Sequence, residues 1–242
     1  MLTEHVYRIH PKIYNTSLLP DVKIEKWIKR RIYIFMKRFY KKEVEKFTSL
    51  YKKQFIIVAS LFLIMTFVGY YIAGSFPEFG ERFSKNWGKA MDVKGITQDV
   101  SSVTATFGIL KNNVVSCSIY ILVGLIPFFF IPYAYSVFNG TIIGVLIYSG
   151  FIKGVSIFKL IFLGLLPHGI TELSALFLSL SIGLYICTNV SKKIFFRNAK
   201  IKLIEVFKYS FTTFALIVIP LVIISAIIEG FITKALVSNF LY

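Results

Sequence analysis

Glu172 and Glu229 are the only carboxylates inside the long apolar stretches of this chain. His168 stands one helical turn before the first of them, in Pro167-His168-Gly169-Ile170-Thr171-Glu172-Leu173. On a helix, positions four apart share a face, so His168 and Glu172 project together. An ionisable group at the centre of a bilayer costs roughly 2.5–3.5 kcal/mol on insertion scales, which makes such residues candidates for function. One imidazole and two carboxylates support three kinds of chemistry: a proton or ligand relay, metal ligation, or mutual satisfaction combined with helix-end capping. Ligands this far apart in sequence signal a metal only weakly, and His-x-x-x-Glu lacks the second His and the neighbouring Glu of a zincin helix. The residues therefore assign no catalytic group, no metal and no cofactor. They define an intramembrane polar centre.

Lys111, Asn112 and Asn113 open another apolar run. Either asparagine could cap a helix, and Lys111 could neutralise a carboxylate. Pro167 suits a helix start, and Gly169 would let another backbone approach closely. Asn139-Gly140 reads as a tight turn, with Gly144 close behind it. Cys117 and Cys187 both fall in apolar segments without Cys-x-x-Cys spacing, so they read as buried packing residues.

The elements that must position these groups are membrane helices. The chain of 242 residues is 56% hydrophobic and 17% aromatic, with 25 Phe, and its mean hydropathy is +0.70. That exceeds the apolar share of a soluble domain and matches a polytopic membrane protein. The formal charge of +16 is clustered rather than dispersed. Fourteen of the 28 Lys and Arg lie in residues 1–54, and six more in residues 191–210. Basic clusters beside hydrophobic helices mark the cytoplasmic face of a membrane, toward anionic lipid. No nucleic-acid recognition motif accompanies the charge, so nucleic acid is excluded as a partner. No cleavable signal peptide is visible, because the first apolar run starts only at Phe55.

Two regions follow: a basic cytoplasmic segment, 1–54, and a membrane helix bundle, 55–242. Within the first, Ile24, Trp27, Ile28, Ile32, Phe35 and Phe39 recur at helical spacing, with Lys23, Lys26, Arg30, Lys37 and Lys41 on the other side. A basic amphipathic helix of this kind lies on the anionic inner leaflet or packs on a protein partner. The spans are expected at 55–74, 112–138 (kinked by Pro127 and Pro132), 141–166 (broken near Lys153-Gly154), 168–190 and 211–229, with a loop at 75–102. The charge pattern puts the N-terminus inside, the neutral 75–102 loop outside and the C-terminus outside. The third stretch then crosses as far as Lys153, and a helix near the outer interface follows. In this arrangement His168, Glu172, Glu229, Lys111, Asn112 and Asn113 converge near the outer ends of their spans.

At these residues the chain resembles the stage II sporulation protein M family of integral membrane proteins. The resemblance rests on Asn112-Asn113, on Asn139-Gly140 with Gly144, and on Pro167-His168-Gly169 followed by Glu172-Leu173. Its last part is the terminal Glu229-Gly230-Phe231-Ile232-Thr233. It covers roughly residues 55–235. It implies a non-catalytic protein of the bacterial plasma membrane. The namesake anchors cell-wall hydrolases during spore engulfment, and related proteins assist maturation, export or self-immunity of circular bacteriocins. The expected function is a scaffold or accessory component that meets another membrane protein or a second copy of itself. A peptide-export or immunity subunit with a Glu/His relay is the alternative, and an intramembrane metal-dependent hydrolase the third reading.

Overall fold

A computed structural model describes residues 21–93, 101–195 and 200–240. No strand occurs among the described residues, and five helices are long and apolar enough to cross a membrane. The chain falls into two compact units, dividing between Glu45 and Lys46.

The first unit holds all but the last residue of α1 (Asp21–Lys46). Lys26, Arg30, Lys37 and Lys41 are exposed on it, as are Trp27, Ile28 and Ile32. The Arg31 guanidinium lies 4.4 Å over the Trp27 ring, a cation–π contact that holds an aromatic beside a basic side chain. The side chain of Lys23 lies outside the described residues.

The second unit is the bundle. A π segment, Phe47–Tyr51, leads into α2 (Lys52–Ser75), whose uncharged run from Phe55 to Gly74 is long enough for about 30 Å of hydrocarbon. Residues 77–93, expected as loop, form α3 (Pro77–Val93). Phe79, Phe83 and Trp87 recur every fourth residue, the first pair tilted and the second stacked, with 6.1 Å between neighbouring centroids. That spacing supports a helix despite the mixed charges around it.

The second and third spans differ from the expected 112–138 and 141–166. α4 (Ser102–Leu122) and a 3-10 turn, Val123–Leu125, form one span, and α5 (Phe130–Ile152) forms the next. Pro127 causes more than a kink. It forces Ile126 into extended backbone (ψ 121°), so the helix ends and the chain reverses over 126–129. Pro132 sits in the first turn of α5, where no backbone donor is required. Asn139, Gly140 and Gly144 are therefore not turn residues: they lie inside α5.

At the other end of α5, Gly154 takes φ +86° and Ser156 caps the next helix through Lys159 N at 3.2 Å. The fourth span is one continuous helix from Ile157 to Ile194. It comprises α6 (Ile157–Lys159), a π segment, Leu160–Leu165, and α7 (Leu166–Ile194). The stretch 155–166 thus continues into the fourth span rather than forming a separate interfacial helix. The last span repeats the device: α8 (Leu203–Thr213), a π segment, α9 (Ile219–Ile227), a second π segment, Ile228–Thr233, and α10 (Lys234–Phe240). Pro167 and Pro220 each stand at the second residue of the α-helix that follows a π segment. A proline removes one donor and collides with the carbonyl four residues back, and the wider π register relieves both problems.

α7 is the central helix. Its residues 177–184 are all buried, Ser179 and Ser181 included. Both hydroxyls bond to carbonyls one turn back, Ala175 O at 2.8 Å and Phe177 O at 2.6 Å. Around α7 lie Tyr51, Cys117, Val206, Val218 and Val222 on one side and Val58, Phe62 and Tyr120 on the other. Lipid is as apolar as leucine, so helix association here relies on close packing and interhelical hydrogen bonds. α2 and α5 provide both. A Cβ at Gly140 would run into the Phe62 carbonyl, and one at Gly144 into that of Thr66. Ser136 Oγ donates across the same interface to Val58 O at 2.7 Å.

A candidate polar centre inside the bundle

Three elements deliver the polar groups. His168 and Glu172 come from the first and second turns of α7 and face the same way, with Nε2 to Oε2 at 3.6 Å. Glu229 and Thr233 come from the π segment Ile228–Thr233. Asn113 comes from the middle of α4. One ligating atom each from His168, Glu172 and Glu229 lies within 4.8 Å of the other two. Thr233 Oγ1 sits 3.1 Å from His168 Nδ1, and both residues are buried. This contact fixes the ring and leaves Nε2 aimed at Glu172. Asn112 Nδ2 donates to Asn113 Oδ1 at 3.3 Å. The Asn113 amide faces Glu172, yet its Nδ2 is buried with no hydrogen-bond partner at bonding distance.

These groups border a cavity of about 470 Å³. Its wall includes Asn112, Asn113, His168, Glu172 and Glu229, together with Trp87 from α3 and Tyr120, Tyr135 and Asn139 deeper in. No Lys or Arg lines it among the described residues. Glu172 keeps 30% of its side chain accessible, and what it is exposed to is this cavity. Asn139 Nδ2 donates to Tyr120 Oη at 3.0 Å and to Tyr135 O at 2.7 Å, which ties α5 to α4 along the cavity wall.

Several expected roles change. Asn112 and Asn113 are not caps: Ser101 caps α4, accepting from Thr104 N at 3.2 Å. Lys111 is exposed and does not line the cavity. Each residue turns a helix by about 100°, so Lys111 points nearly opposite to Asn113 and cannot neutralise the carboxylates. Gly169 lines the cavity, but the nearest atom to a Cβ there is a Leu165 side-chain carbon at 3.7 Å, so no backbone closes on it. Pro167 restarts the α register eleven residues into the helix rather than beginning it. His168 accordingly lies roughly 16 Å from the Ile157 end at 1.5 Å per residue, deeper than an interfacial site. The sequence places neither Thr233 nor Tyr120 in the polar centre, although Thr233 closes the terminal segment that begins at Glu229. Thr233 carried one usable signal, its position four residues after Glu229.

The fold and this centre define a polytopic helical membrane bundle that encloses a polar, net acidic chamber. The family model for stage II sporulation protein M matches residues 58–234. The chain belongs to that family. The match takes in every residue of the chamber and excludes α1. No curated protein and no solved structure matches the chain.

Proposed function

We propose that this protein is a non-catalytic accessory subunit of a complex in the bacterial plasma membrane, of the sporulation or wall-remodelling type, docking through the outer face of α4. The observation that carries this reading is Lys111. It is exposed near the middle of a 24-residue span and has no ion-pair partner among the described residues. A lysine on a lipid-facing surface at that depth is costly, and a carboxylate or carbonyl on a neighbouring membrane protein relieves the cost. In native electrophoresis of gently solubilised membranes, the wild type is expected in a species well above its 27.7 kDa monomer. Lys111→Leu should dissociate it while Lys111→Arg retains it. An unchanged species in Lys111→Leu would end this reading.

The chamber favours a second reading, a peptide-export or immunity subunit in which Glu172, Glu229 and His168 hold a ligand. Cavities that bind ligands combine apolar walls with a few convergent polar groups, as this one does.

The bundle is read with the start of α2 on the cytoplasmic side. One crossing from there puts α3 outside, and four put the basic connection after Ile194 inside again, in keeping with the positive-inside rule. A cysteine at Ser84 should label from outside intact cells and one at Lys200 should not, in a background lacking Cys117 and Cys187. α1, with its basic residues and exposed Trp27, is read as lying on anionic lipid. Its isolated peptide is expected to bind acidic vesicles and to release as salt rises.

A further inference from the structure

We propose that His168, Glu172 and Glu229 bind one divalent transition-metal ion of the zinc type, with an open coordination position facing the cavity. The inference rests on the chamber and not on the docking face through Lys111.

The first observation is a distance. His168 Nε2 and Glu172 Oε2 stand 3.6 Å apart, too far for an N–H···O hydrogen bond. Two atoms that share a tetrahedral ion through bonds of about 2.0–2.1 Å lie roughly 3.3–3.4 Å from each other. The pair is spaced as co-ligands are. Glu229 completes a set whose ligand atoms all lie within 4.8 Å of one another.

The second observation is charge. Two carboxylates face one another in an apolar bundle, and no Lys or Arg lines the cavity among the described residues. Buried carboxylates need a compensating cation or a shared proton. A divalent ion bound by one imidazole and two carboxylates leaves the centre neutral.

The third observation is support around the ligands. Metal-bound imidazoles have their other nitrogen fixed by a hydrogen bond. Thr233 holds Nδ1 of His168 and leaves Nε2 toward the carboxylates. Nδ2 of Asn113, buried without a hydrogen-bond partner on an amide turned to Glu172, is placed to bond the carboxylate oxygen that does not bind the ion. Imidazole favours zinc, iron or nickel over magnesium and calcium. Three protein ligands leave a tetrahedral ion one position, and here that position faces the cavity, where water or an anionic oxygen donor such as a carboxylate fits.

The test uses the full chain in detergent, stripped with chelator, reloaded with zinc alone and desalted before metal is counted. About one zinc per chain is expected in the wild type, and the same in a His5→Ala/His10→Ala variant that removes the other two histidines. His168→Gln and Glu229→Gln should each fall at least tenfold below that. Cobalt(II) titration of the wild type is a second readout that needs no variant, and a strong visible band of four-coordinate cobalt is expected. Wild type that keeps no metal, or variants that keep as much as wild type, would overturn the site. Neither result touches the chamber itself, which thiol labelling tests separately.

Discussion

The interface between α2 and α5 and the space between α4 and α7 are built from the same apolar alphabet and come out opposite. In the first, Gly69, Gly140 and Gly144 let backbone meet backbone at three points. Ser136 is wholly buried there and spends its hydroxyl on Val58 O. In the second, Asn112, Asn113 and Ser116 of α4 line a cavity of about 470 Å³. Gly124 and Gly183 do bring α7 against the end of α4, but only at the far end of the span. Small residues set where this bundle is dry. Polar residues of middling size, with π segments that turn Glu229 and Thr233 inward, set where it is open.

The sharpest way to break this contrast is to spoil the dry side. Gly144→Leu would drive a side chain into the Thr66 carbonyl and the Tyr70 amide. Overpacking against backbone costs about 3 kcal/mol or more, so accumulation in the membrane should collapse. Near-normal accumulation would mean that α2 and α5 do not pack as described.

On the open side the same kind of change should be mild. Thr233→Val deletes the only hydrogen-bond partner assigned to His168 Nδ1. A buried group left unsatisfied costs roughly 1–3 kcal/mol, readable as a lower unfolding temperature in detergent. Glu229→Gln is expected to act in the reverse direction in chelated protein. It relieves a carboxylate–carboxylate contact that nothing cationic offsets, and should raise stability by about 1 kcal/mol. A fall would mean that Glu229 is already paired. Smallest of all, Gly169→Ala meets only a Leu165 carbon at 3.7 Å and should stay within about 0.5 kcal/mol of wild type.

How much of this was legible depended on which solvent a residue pattern was read against. The helical class, the number of spans and the convergence of His168, Glu172 and Glu229 follow from apolar length and charge asymmetry, and these are robust in lipid. Asn139-Gly140 misleads because in water that pair marks a turn, whereas inside a membrane Gly140 and Gly144 are a helix-packing face. The reversal at 126–129 carries no polar punctuation, since its residues are Ile, Pro, Phe and Phe. Only Pro127 marks it, and a proline inside a membrane helix is as compatible with a kink. α3 was hidden by its charges, although Phe79, Phe83 and Trp87 already had helical spacing. Pro167 reads as a helix beginning and so places the centre too near the interface, because the π segment that lets the helix run through it has no sequence signature.

One side of the bundle is an accessible polar chamber and the other is dry. Single cysteines at Ser116, on the cavity wall, and at Ser136, in the α2–α5 interface, test it in one experiment, again without Cys117 and Cys187. A small water-borne thiol reagent needs water around the sulfur, so Ser116→Cys should react at least tenfold faster than Ser136→Cys. Equal, slow labelling at both positions would show a closed and dry centre, and would contradict the account.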